Sequence, residues 1–262
     1  MFNFTPVVRL LLFANVIVFL ITSQMGEGVV DRFGLHSVLS DKFNPIQLIT
    51  HMFMHGGWGH IFSNMIGLIV FGPMLERVWG GPRFFLFYML TGLGAAVLYL
   101  GVNYYETASL VDAYQLYKVN PTNSEFIGFV SQYANSIYDN IAPFIQKFDA
   151  DPTNPAYIKQ GQDFVNVLVS RQVDTPMVGA SGAIFGVIMA FGLLFPNTEL
   201  ILLFPPIPIK AKYLVLFYGA YEVYSGIYQA QSDNVAHFAH IGGMLFAYIL
   251  VKLWGSQRKT FY

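Results

Sequence analysis

Two residues of this chain, Ser181 and His240, are of the types that acyl-transfer chemistry needs. Ser181 lies in a Gly-Ala-Ser-Gly segment, and His240 lies far downstream. Serine is a weak nucleophile until a neighbouring base takes its proton, and neutral histidine is the usual base. No Asp or Glu is close in sequence to His240. We therefore interpret the two residues as a Ser–His dyad.

An acyl-transfer site also needs hydrogen-bond donors for the oxyanion, and the sequence offers several. Ser181 is predicted to begin a helix, where unpaired backbone N–H groups favour negative charge. His60 and Asn64 are four residues apart, which places both side chains on one face of a helix. Gly179 and Gly182 allow the backbone to approach closely. We expect His60 and Asn64 to stabilise the oxyanion.

The histidines could instead bind a metal ion. His51 and His55 are four residues apart, and His237 and His240 are three apart, so each pair could hold zinc. However, the chain has no His-Glu-x-x-His motif, no cysteine and no carboxylate beside either pair in sequence. We therefore expect neither a metal ion nor a cofactor, and we expect structural hydrogen bonds from His51, His55 and His237.

The composition indicates that these residues lie in a membrane protein. Hydrophobic residues make up 55% of the 262 residues and charged residues only 11%, whereas soluble domains carry about a quarter charged residues. So little charge cannot cover a water-facing surface. The net charge is −1, and no basic block occurs before the tail at 257–259, which argues against nucleic-acid binding.

Six apolar segments predict the crossings of an all-α polytopic membrane protein. The predicted transmembrane helices are 7–23, 60–78, 84–101, 181–195, 213–227 and 237–254. The first segment lacks a basic leader and a small-residue cleavage site, so we expect a retained helix rather than a signal peptide. Six crossings in one domain place both termini on the same side of the membrane.

Lysine and arginine predict which side that is. The inner segments would hold Arg9, Arg77, Arg83, Lys210, Lys212, Lys252, Arg258 and Lys259. The short outer loops hold only Arg32 and Lys42. The positive-inside rule therefore favours cytoplasmic termini. The second, fourth and sixth helices then start near the outer face, so His60, Ser181 and His240 lie at similar depth.

Residues 103–176 form a long outer segment between the third and fourth helices. This segment has eight acidic residues and four basic ones. Between Phe126 and Phe148, apolar residues recur at steps of three and four, which is typical of amphipathic helices. We expect an extracytoplasmic helical insertion, and nothing in its sequence indicates a role.

Taken together, the motifs resemble those of the rhomboid family of intramembrane serine proteases. The segment at 179–182 is similar to the family's GxSG motif, residues 60–64 to its HxxxN motif, and residues 239–243 to its AHxxG motif. Each motif alone is weakly specific, but all three occur in the family's order and on the matching helices. The resemblance covers residues 5–102 and 177–254. Residues 205–210 before the fifth helix also resemble bacterial members.

The resemblance implies a rhomboid-like bundle of six transmembrane helices that hydrolyses peptide bonds in or beside the transmembrane segments of protein substrates, without a cofactor. It implies that Ser181 is the nucleophile and His240 the general base. It assigns His60 and Asn64 to the oxyanion. Because no transit peptide is evident, we expect a bacterial cytoplasmic membrane, with the active site open to the extracytoplasmic side.

Other residues match the family less directly. Phe185 resembles the aromatic residue on which the catalytic histidine packs, and His55 resembles the histidine that supports the loop before the second helix. The family often carries Trp-Arg in its first outer loop, where this chain has Ile46 and Gln47. The insertion at 103–176 has no counterpart in the minimal core. Both departures concern loop packing and substrate approach rather than the dyad.

Two other functional classes are alternatives. A catalytically inactive relative would bind membrane clients without cleaving them, and it is disfavoured because Ser181, His240, His60 and Asn64 are all present. A proton-coupled transporter is suggested by Glu222, a carboxylate within the fifth helix. The two halves show no internal repeat, so we expect Glu222 to link helices through a hydrogen bond.

Overall fold

The computed structural model describes residues 4–201, 206–228 and 236–255 of the chain. Within these ranges nearly all regular structure is helical, which confirms the predicted all-α class. Pro205, Arg258 and Lys259, which entered the motif and charge arguments, lie outside the described residues. The chain divides into two compact units. The membrane unit comprises Met1–Leu35, Asn44–Gly101 and Pro176–Tyr262, and the insertion unit comprises His36–Phe43 and Val102–Thr175.

Six long helices cover the six apolar segments. Their bounds are α1 Pro6–Met25, α4 Trp58–Trp79, α5 Gly81–Val119, α9 Ser181–Leu194, α10 Ala211–Tyr228 and α11 His237–Gly255. Four of them, α1, α4, α5 and α11, are long and apolar enough to cross a membrane. Helix α9 is apolar but has only 14 residues, and α10 does not reach the same apolar character. The crossings by α9 and α10 stay predictions.

The loop between α1 and α4, which the charge pattern predicts to be the first outer loop, contains three short helical pieces: α2 Glu27–Phe33, α3 Gln47–Thr50 and a 3₁₀ turn His51–Phe53. A ribbon of two short antiparallel strands, β1 Glu199–Ile201 and β2 Pro208–Lys210, precedes α10. Glu199 pairs with Lys210 in its register. Strands of three residues are too short for sequence periodicity to predict.

The start of α1 is held by a carboxylate from α4. Pro6 occupies the first turn, where its missing N–H has no helical partner to lose. Glu76, buried near the end of α4, accepts hydrogen bonds from the backbone N–H groups of Val7 (2.9 Å) and Val8 (2.9 Å). These N–H groups lack partners within their own helix. Glu76 therefore caps α1 and ties it to α4.

Helix α9 lies at the centre of the membrane unit. Nine of its 14 residues are buried, and small residues let its neighbours approach closely. At Gly67 on α4, a Cβ atom would lie 2.6 Å from a methyl group of Ile184 on α9. By contrast, α10 buries only Ala211, Glu222, Ser225 and Gly226 among its 18 residues. The membrane unit thus has a tightly packed centre and a loosely packed α10.

The insertion unit has its own core. Helices α6 Asn123–Tyr133, α7 Tyr138–Ala150 and α8 Pro155–Val173 follow the end of α5, and a 3₁₀ turn, Asn135–Ile137, separates α6 from α7. Phe126 and Phe148 are completely buried in this unit. The side chain of Thr122 caps α6 and that of Asn154 caps α8.

Helix α5 extends beyond the predicted end of the third crossing. The prediction ended this helix at residue 101, but the helix continues to Val119. No glycine or proline occurs between Val102 and Val119, and Pro121 follows shortly afterwards. The loss of apolar character after Gly101 marks the end of the apolar segment, not the end of the helix.

Candidate active site

The structure brings Ser181 and His240 into hydrogen-bonding contact. Ser181 is the first residue of α9, and His240 lies in the first turn of α11. The Ser181 Oγ lies 2.9 Å from the His240 Nε2. The two helices meet so closely here that a Cβ atom on Gly243 would lie 1.9 Å from the carbonyl oxygen of Gly182. The absence of a side chain at Gly243 therefore lets α11 come close enough to α9 for the serine and the histidine to meet.

Phe185 holds the imidazole ring of His240 from one face. Phe185 follows Ser181 by one helical turn, and its ring stacks on His240 with a centroid distance of 4.1 Å and an angle of 9° between the planes. Tyr218 of α10 contacts the Phe185 ring edge-on at 5.9 Å. The resemblance assigned Phe185 to a packing position of this kind.

Glu222 on α10 contacts the far side of His240, and sequence reasoning missed this. The Glu222 Oε2 lies 2.9 Å from the His240 Nδ1 and 2.6 Å from the His237 Nδ1. All three residues are buried. The expectation of a site without a carboxylate is therefore wrong, while the expected helix-linking hydrogen bond of Glu222 is present.

A signal for this contact did exist in the sequence. A carboxylate within an apolar helix needs a partner, and α10 and α11 are consecutive helices. Glu222 lies six residues before the end of α10, and His237 and His240 lie in the first turn of α11. Glu222 and the two histidines are thus each within a few residues of the connection between α10 and α11. This places the three side chains at similar depth in the helix bundle.

His60 and Asn64 lie on the other side of the serine segment, against Gly179. Gly179 has a φ of +123°, which is in the region that favours glycine. A Cβ atom there would lie 2.6 Å from the His60 Nε2 and 3.6 Å from the Asn64 Nδ2. A glycine two residues before Ser181 therefore lets the His60 ring reach this position, with Asn64 in ordinary contact beside it.

Both of these side chains can donate hydrogen bonds beside Gly179. The Asn64 Nδ2 is buried and has no hydrogen-bond partner among the described residues. The backbone N–H of Gly56 donates to the His60 Nδ1 over 3.4 Å. In a neutral ring this leaves the hydrogen on the His60 Nε2. Two side-chain donors are thus available for an acceptor near Ser181.

The backbone before Ser181 is tied to the first outer loop. Leu35 and Met177 exchange two backbone hydrogen bonds of 2.8 Å each, and the Gly179 N–H donates to the His51 carbonyl over 2.9 Å. A cavity of ≈ 10 Å³ lies next to Ser181, which is room for about one water molecule.

His51 and His55 support this loop and do not form a pair of metal ligands with each other. The His51 Nδ1 hydrogen-bonds the Gln47 carbonyl at 2.7 Å, and burial lowers the pKa of His51 to about 4. The His55 ring lies 5.2 Å from the His60 ring. Burial, together with the neighbouring His60, lowers the pKa of His55 to about 4. Both rings are therefore neutral at neutral pH.

The loop position where the family often has Trp-Arg is organised differently here. Gln47 is buried, and its side chain donates to the Arg32 carbonyl over 3.2 Å and accepts from the Asn44 N–H over 3.1 Å. Ile46 is exposed. Gln47 therefore connects two parts of the outer loop through neutral hydrogen bonds.

Glu222, His237 and His240 are also of the types that bind metal ions. Their ligand atoms lie within 4.8 Å of one another. The expectation that no carboxylate accompanies His237 and His240 is thus wrong, because Glu222 is distant in sequence but lies beside both rings in the structure. However, the Nδ1 atoms of both rings already face the carboxylate, and the His240 Nε2 faces Ser181. A site without a metal ion stays a prediction.

The fold and the site define a polytopic α-helical membrane protein with a serine hydrogen-bonded to a histidine. The Rhomboid domain family model matches residues 42–113 and 160–257. The match covers more than half of the chain, and it includes Ser181, His240, His60 and Asn64. The chain belongs to the rhomboid family. Residues 114–159, which separate the two matched segments, lie inside the insertion.

Several curated plant proteins are similar to this chain. RHOMBOID-like protein 12, mitochondrial, of Arabidopsis thaliana is 30% identical over 213 residues, which are 81% of this chain and 46% of that protein. Rhomboid-like protein 11, chloroplastic, of the same plant is 33% identical over 88 residues, 31% of either chain. RHOMBOID-like protein 6, mitochondrial, is 40% identical over 52 residues, which are 20% of this chain and 17% of that protein. The matches span less than half the length of these relatives.

Proposed function

We propose that this protein is an intramembrane serine endopeptidase that cleaves peptide bonds in or next to transmembrane segments of other membrane proteins. The hydrogen bond of 2.9 Å between the Ser181 Oγ and the His240 Nε2 carries this proposal. A serine paired with a histidine is the arrangement that activates a hydroxyl for attack on a carbonyl. Membership of the rhomboid family supports the same reaction class.

In the proposed reaction, Ser181 attacks the scissile carbonyl carbon while His240 takes the hydroxyl proton at Nε2. A C–O bond forms, and the carbonyl oxygen becomes an oxyanion. The C–N bond then breaks, and His240 returns the proton to the leaving amine. Water attacks the acyl-enzyme in the same way, and its proton passes through His240 as Ser181 is released.

The proposed oxyanion donors are the side chains of His60 and Asn64. Both lie against Gly179, and the buried Asn64 Nδ2 has no partner among the described residues. Such a donor gains a strong hydrogen bond when a negatively charged oxygen forms within reach. Gly179 lets the His60 ring approach the segment before Ser181, Gly243 lets α11 approach α9, and Gly182 lets α9 approach Ala95 of α5.

We propose transmembrane segments as substrates that approach through the membrane past α10. The outward residues of α10, including Leu216, Phe217 and Ile227, are exposed to more than 60% of their surface. Little apolar packing therefore holds this helix. We expect a substrate helix to unwind locally, because carbonyls within an intact helix are already hydrogen-bonded and shielded.

The proposed topology places both termini in the cytoplasm and the site and insertion on the opposite side, in a bacterial cytoplasmic membrane. Cysteines introduced one at a time test the topology. The chain has no cysteine of its own, so a thiol reagent labels only the introduced residue. In intact cells, a membrane-impermeant maleimide should label Gln160→Cys on exposed α8. It should label Asn197→Cys, in the exposed turn after α9, only after permeabilisation. The reverse pattern would invert the orientation.

Cleavage of a transmembrane reporter in liposomes tests the proposed activity. Wild type and the control Ser131→Ala, a change at an exposed serine of α6, should cleave the reporter, with or without EDTA. Ser181→Ala should not cleave it. Cleavage by Ser181→Ala would overturn the assignment, and loss of cleavage in EDTA would favour a metal mechanism.

A fluorophosphonate probe tests the same serine without a peptide substrate. Attack by Ser181 forms a P–O bond and expels fluoride, so labelling needs only an activated hydroxyl. We expect labelling of wild type at Ser181. A folded wild type that neither labels nor cleaves any reporter would overturn the proposal and favour an inactive protein that binds membrane clients.

A further inference from the structure

Glu222 is a buried carboxylate on the loosely packed helix α10, and the reaction described above does not use it. We propose that Glu222 is a positioning residue that acts through His240, so that the site is a Ser–His–Glu triad. This inference rests on the proposed serine endopeptidase activity. It adds a third member to that site, from a helix that carries neither the nucleophile nor the base.

The hydrogen bonds form a continuous line through one imidazole ring. The Ser181 Oγ lies 2.9 Å from the His240 Nε2, and the Glu222 Oε2 lies 2.9 Å from the His240 Nδ1. An ionised carboxylate only accepts hydrogen bonds, so it holds the His240 hydrogen on Nδ1. The His240 Nε2 is then the bare nitrogen that can take the proton of Ser181.

His237 provides the second hydrogen bond to the same carboxylate oxygen. The His237 Nδ1 lies 2.6 Å from the Glu222 Oε2. A buried carboxylate is costly unless hydrogen bonds replace its water. Two imidazole N–H groups on one oxygen supply such bonds and fix the direction of that oxygen. His237 therefore holds Glu222 in place, and Glu222 holds His240.

The same geometry supports the charged form of His240. When His240 takes the proton of Ser181 it becomes an imidazolium, and the carboxylate oxygen lies 2.9 Å from its Nδ1. Charge-assisted hydrogen bonds of this kind are about twice as strong as neutral ones. Phe185 covers one face of the ring, which keeps the ring in the plane that serves both bonds. Glu222 thus both orients the base and stabilises its protonated form.

A purely structural link between α10 and α11 would use a different part of this network. The bond from Glu222 to the His237 Nδ1 ties α10 to α11 without using the imidazole ring that is hydrogen-bonded to Ser181. The second bond, to His240, reaches the ring that contacts the nucleophile. The two roles therefore separate experimentally, because different substitutions remove the two bonds.

The test uses the full chain in detergent, with fluorophosphonate labelling of Ser181 and cleavage of a transmembrane reporter as readouts. Glu222→Gln keeps the size of the side chain but removes its charge. We expect a fall of about 100-fold to 10,000-fold in labelling rate and kcat, as in other triads that lose their carboxylate, with KM within about threefold of wild type. Glu222→Asp should recover part of the loss, because it keeps the charge.

His237→Gln is the matched control for the structural role. It removes one bond to the Glu222 Oε2 but leaves the bond to His240. We expect a loss of about tenfold or less in labelling rate. If Glu222 only links helices, Glu222→Gln should keep its labelling rate within about threefold of wild type and lower only the Tm, which would overturn the triad.

Other outcomes are also decisive. If Glu222→Gln does not fold, Glu222→Ala decides, because it removes the carboxylate altogether. A folded Glu222→Ala that labels within about threefold of wild type would contradict the triad, and slowing of about 100-fold or more at an unchanged Tm would support it. Cleavage by Ser181→Ala would defeat the proposed function itself. An inactive Ser181→Ala beside a fully active Glu222→Gln would defeat only the triad.

Discussion

The two sides of Ser181 treat their polar groups in opposite ways. On the side of α10 and α11, the carboxylate of Glu222 meets two imidazole N–H groups, and His240 meets the serine. On the side of α4, the Asn64 Nδ2 is buried without a hydrogen-bond partner among the described residues, and the His60 Nε2 lies with it against Gly179. One side is saturated with hydrogen bonds, and the other holds donors in reserve.

This difference matches what each side would do in acyl transfer. A base must already have the right tautomer and direction when the substrate arrives, so its hydrogen bonds are formed in advance. An oxyanion donor must have no competing acceptor until the oxyanion forms. Leaving a buried donor unpaired costs about 1–3 kcal/mol. We infer that the unpaired Asn64 donor destabilises the free protein by this amount and gains its hydrogen bond when the oxyanion forms.

The largest effect should come from the saturated side. His240→Ala removes the base, so Ser181 loses its partner and Glu222 keeps only its bond to His237. We expect loss of about 10⁶-fold in kcat, close to that of losing the nucleophile itself. Reporter cleavage in liposomes measures this, with the Tm as the check on folding. Activity within about 100-fold of wild type would mean that another group takes the proton of Ser181.

A smaller effect should come from the donor side. Asn64→Ala removes one oxyanion donor and should lower kcat by about 100-fold to 1,000-fold, with little change in KM. The Tm should stay near that of wild type, because the lost amide donor has no partner to leave behind among the described residues. Reporter kinetics and thermal unfolding measure the two quantities.

Asn15→Ala is the matched control for Asn64→Ala. Asn15 is a buried asparagine on α1 whose Nδ2 donates to the Leu11 carbonyl over 2.8 Å. Loss of the Asn15 amide and of this hydrogen bond should lower the Tm and leave kcat nearly unchanged. If both variants lower kcat by the same factor, the effect of Asn64 is general destabilisation, and the contrast between the two sides fails.

The sequence pointed to the pairing of Ser181 with His240 better than to the groups that surround this pair. Ser181, His240, His60 and Asn64 follow from residue type and spacing, because each lies near the start of a helix that the apolar segments define. Glu222 was missed as a partner because its contact depends on how α10 is rotated against α11. Apolar periodicity does not fix that rotation when most of a helix is exposed, as it is in α10.

The helices themselves show the same limit. The lengths of the apolar segments predicted the positions of the helices in the membrane unit. The spacing of apolar residues between Phe126 and Phe148 predicted helices in the insertion unit. The continuation of α5 to Val119 was missed because helix propensity, not hydropathy, decides where a helix ends. The ribbon of β1 and β2 was missed because three-residue strands carry no readable period.

The smallest effect concerns His51 and His55, which support the donor side. Burial lowers both pKa values to about 4, whereas an unfolded histidine titrates near 6.5. Between pH 6.5 and 4 the unfolded chain therefore binds protons that the folded chain does not, so the free energy of unfolding falls as the pH falls. Each histidine should contribute a loss of about 3 kcal/mol in the free energy of unfolding across this range.

Thermal unfolding followed by tryptophan fluorescence at several pH values measures this pH dependence. His55→Gln should remove about half of it, and an unchanged pH dependence in both His55→Gln and His51→Gln would show that neither ring is held neutral by the fold.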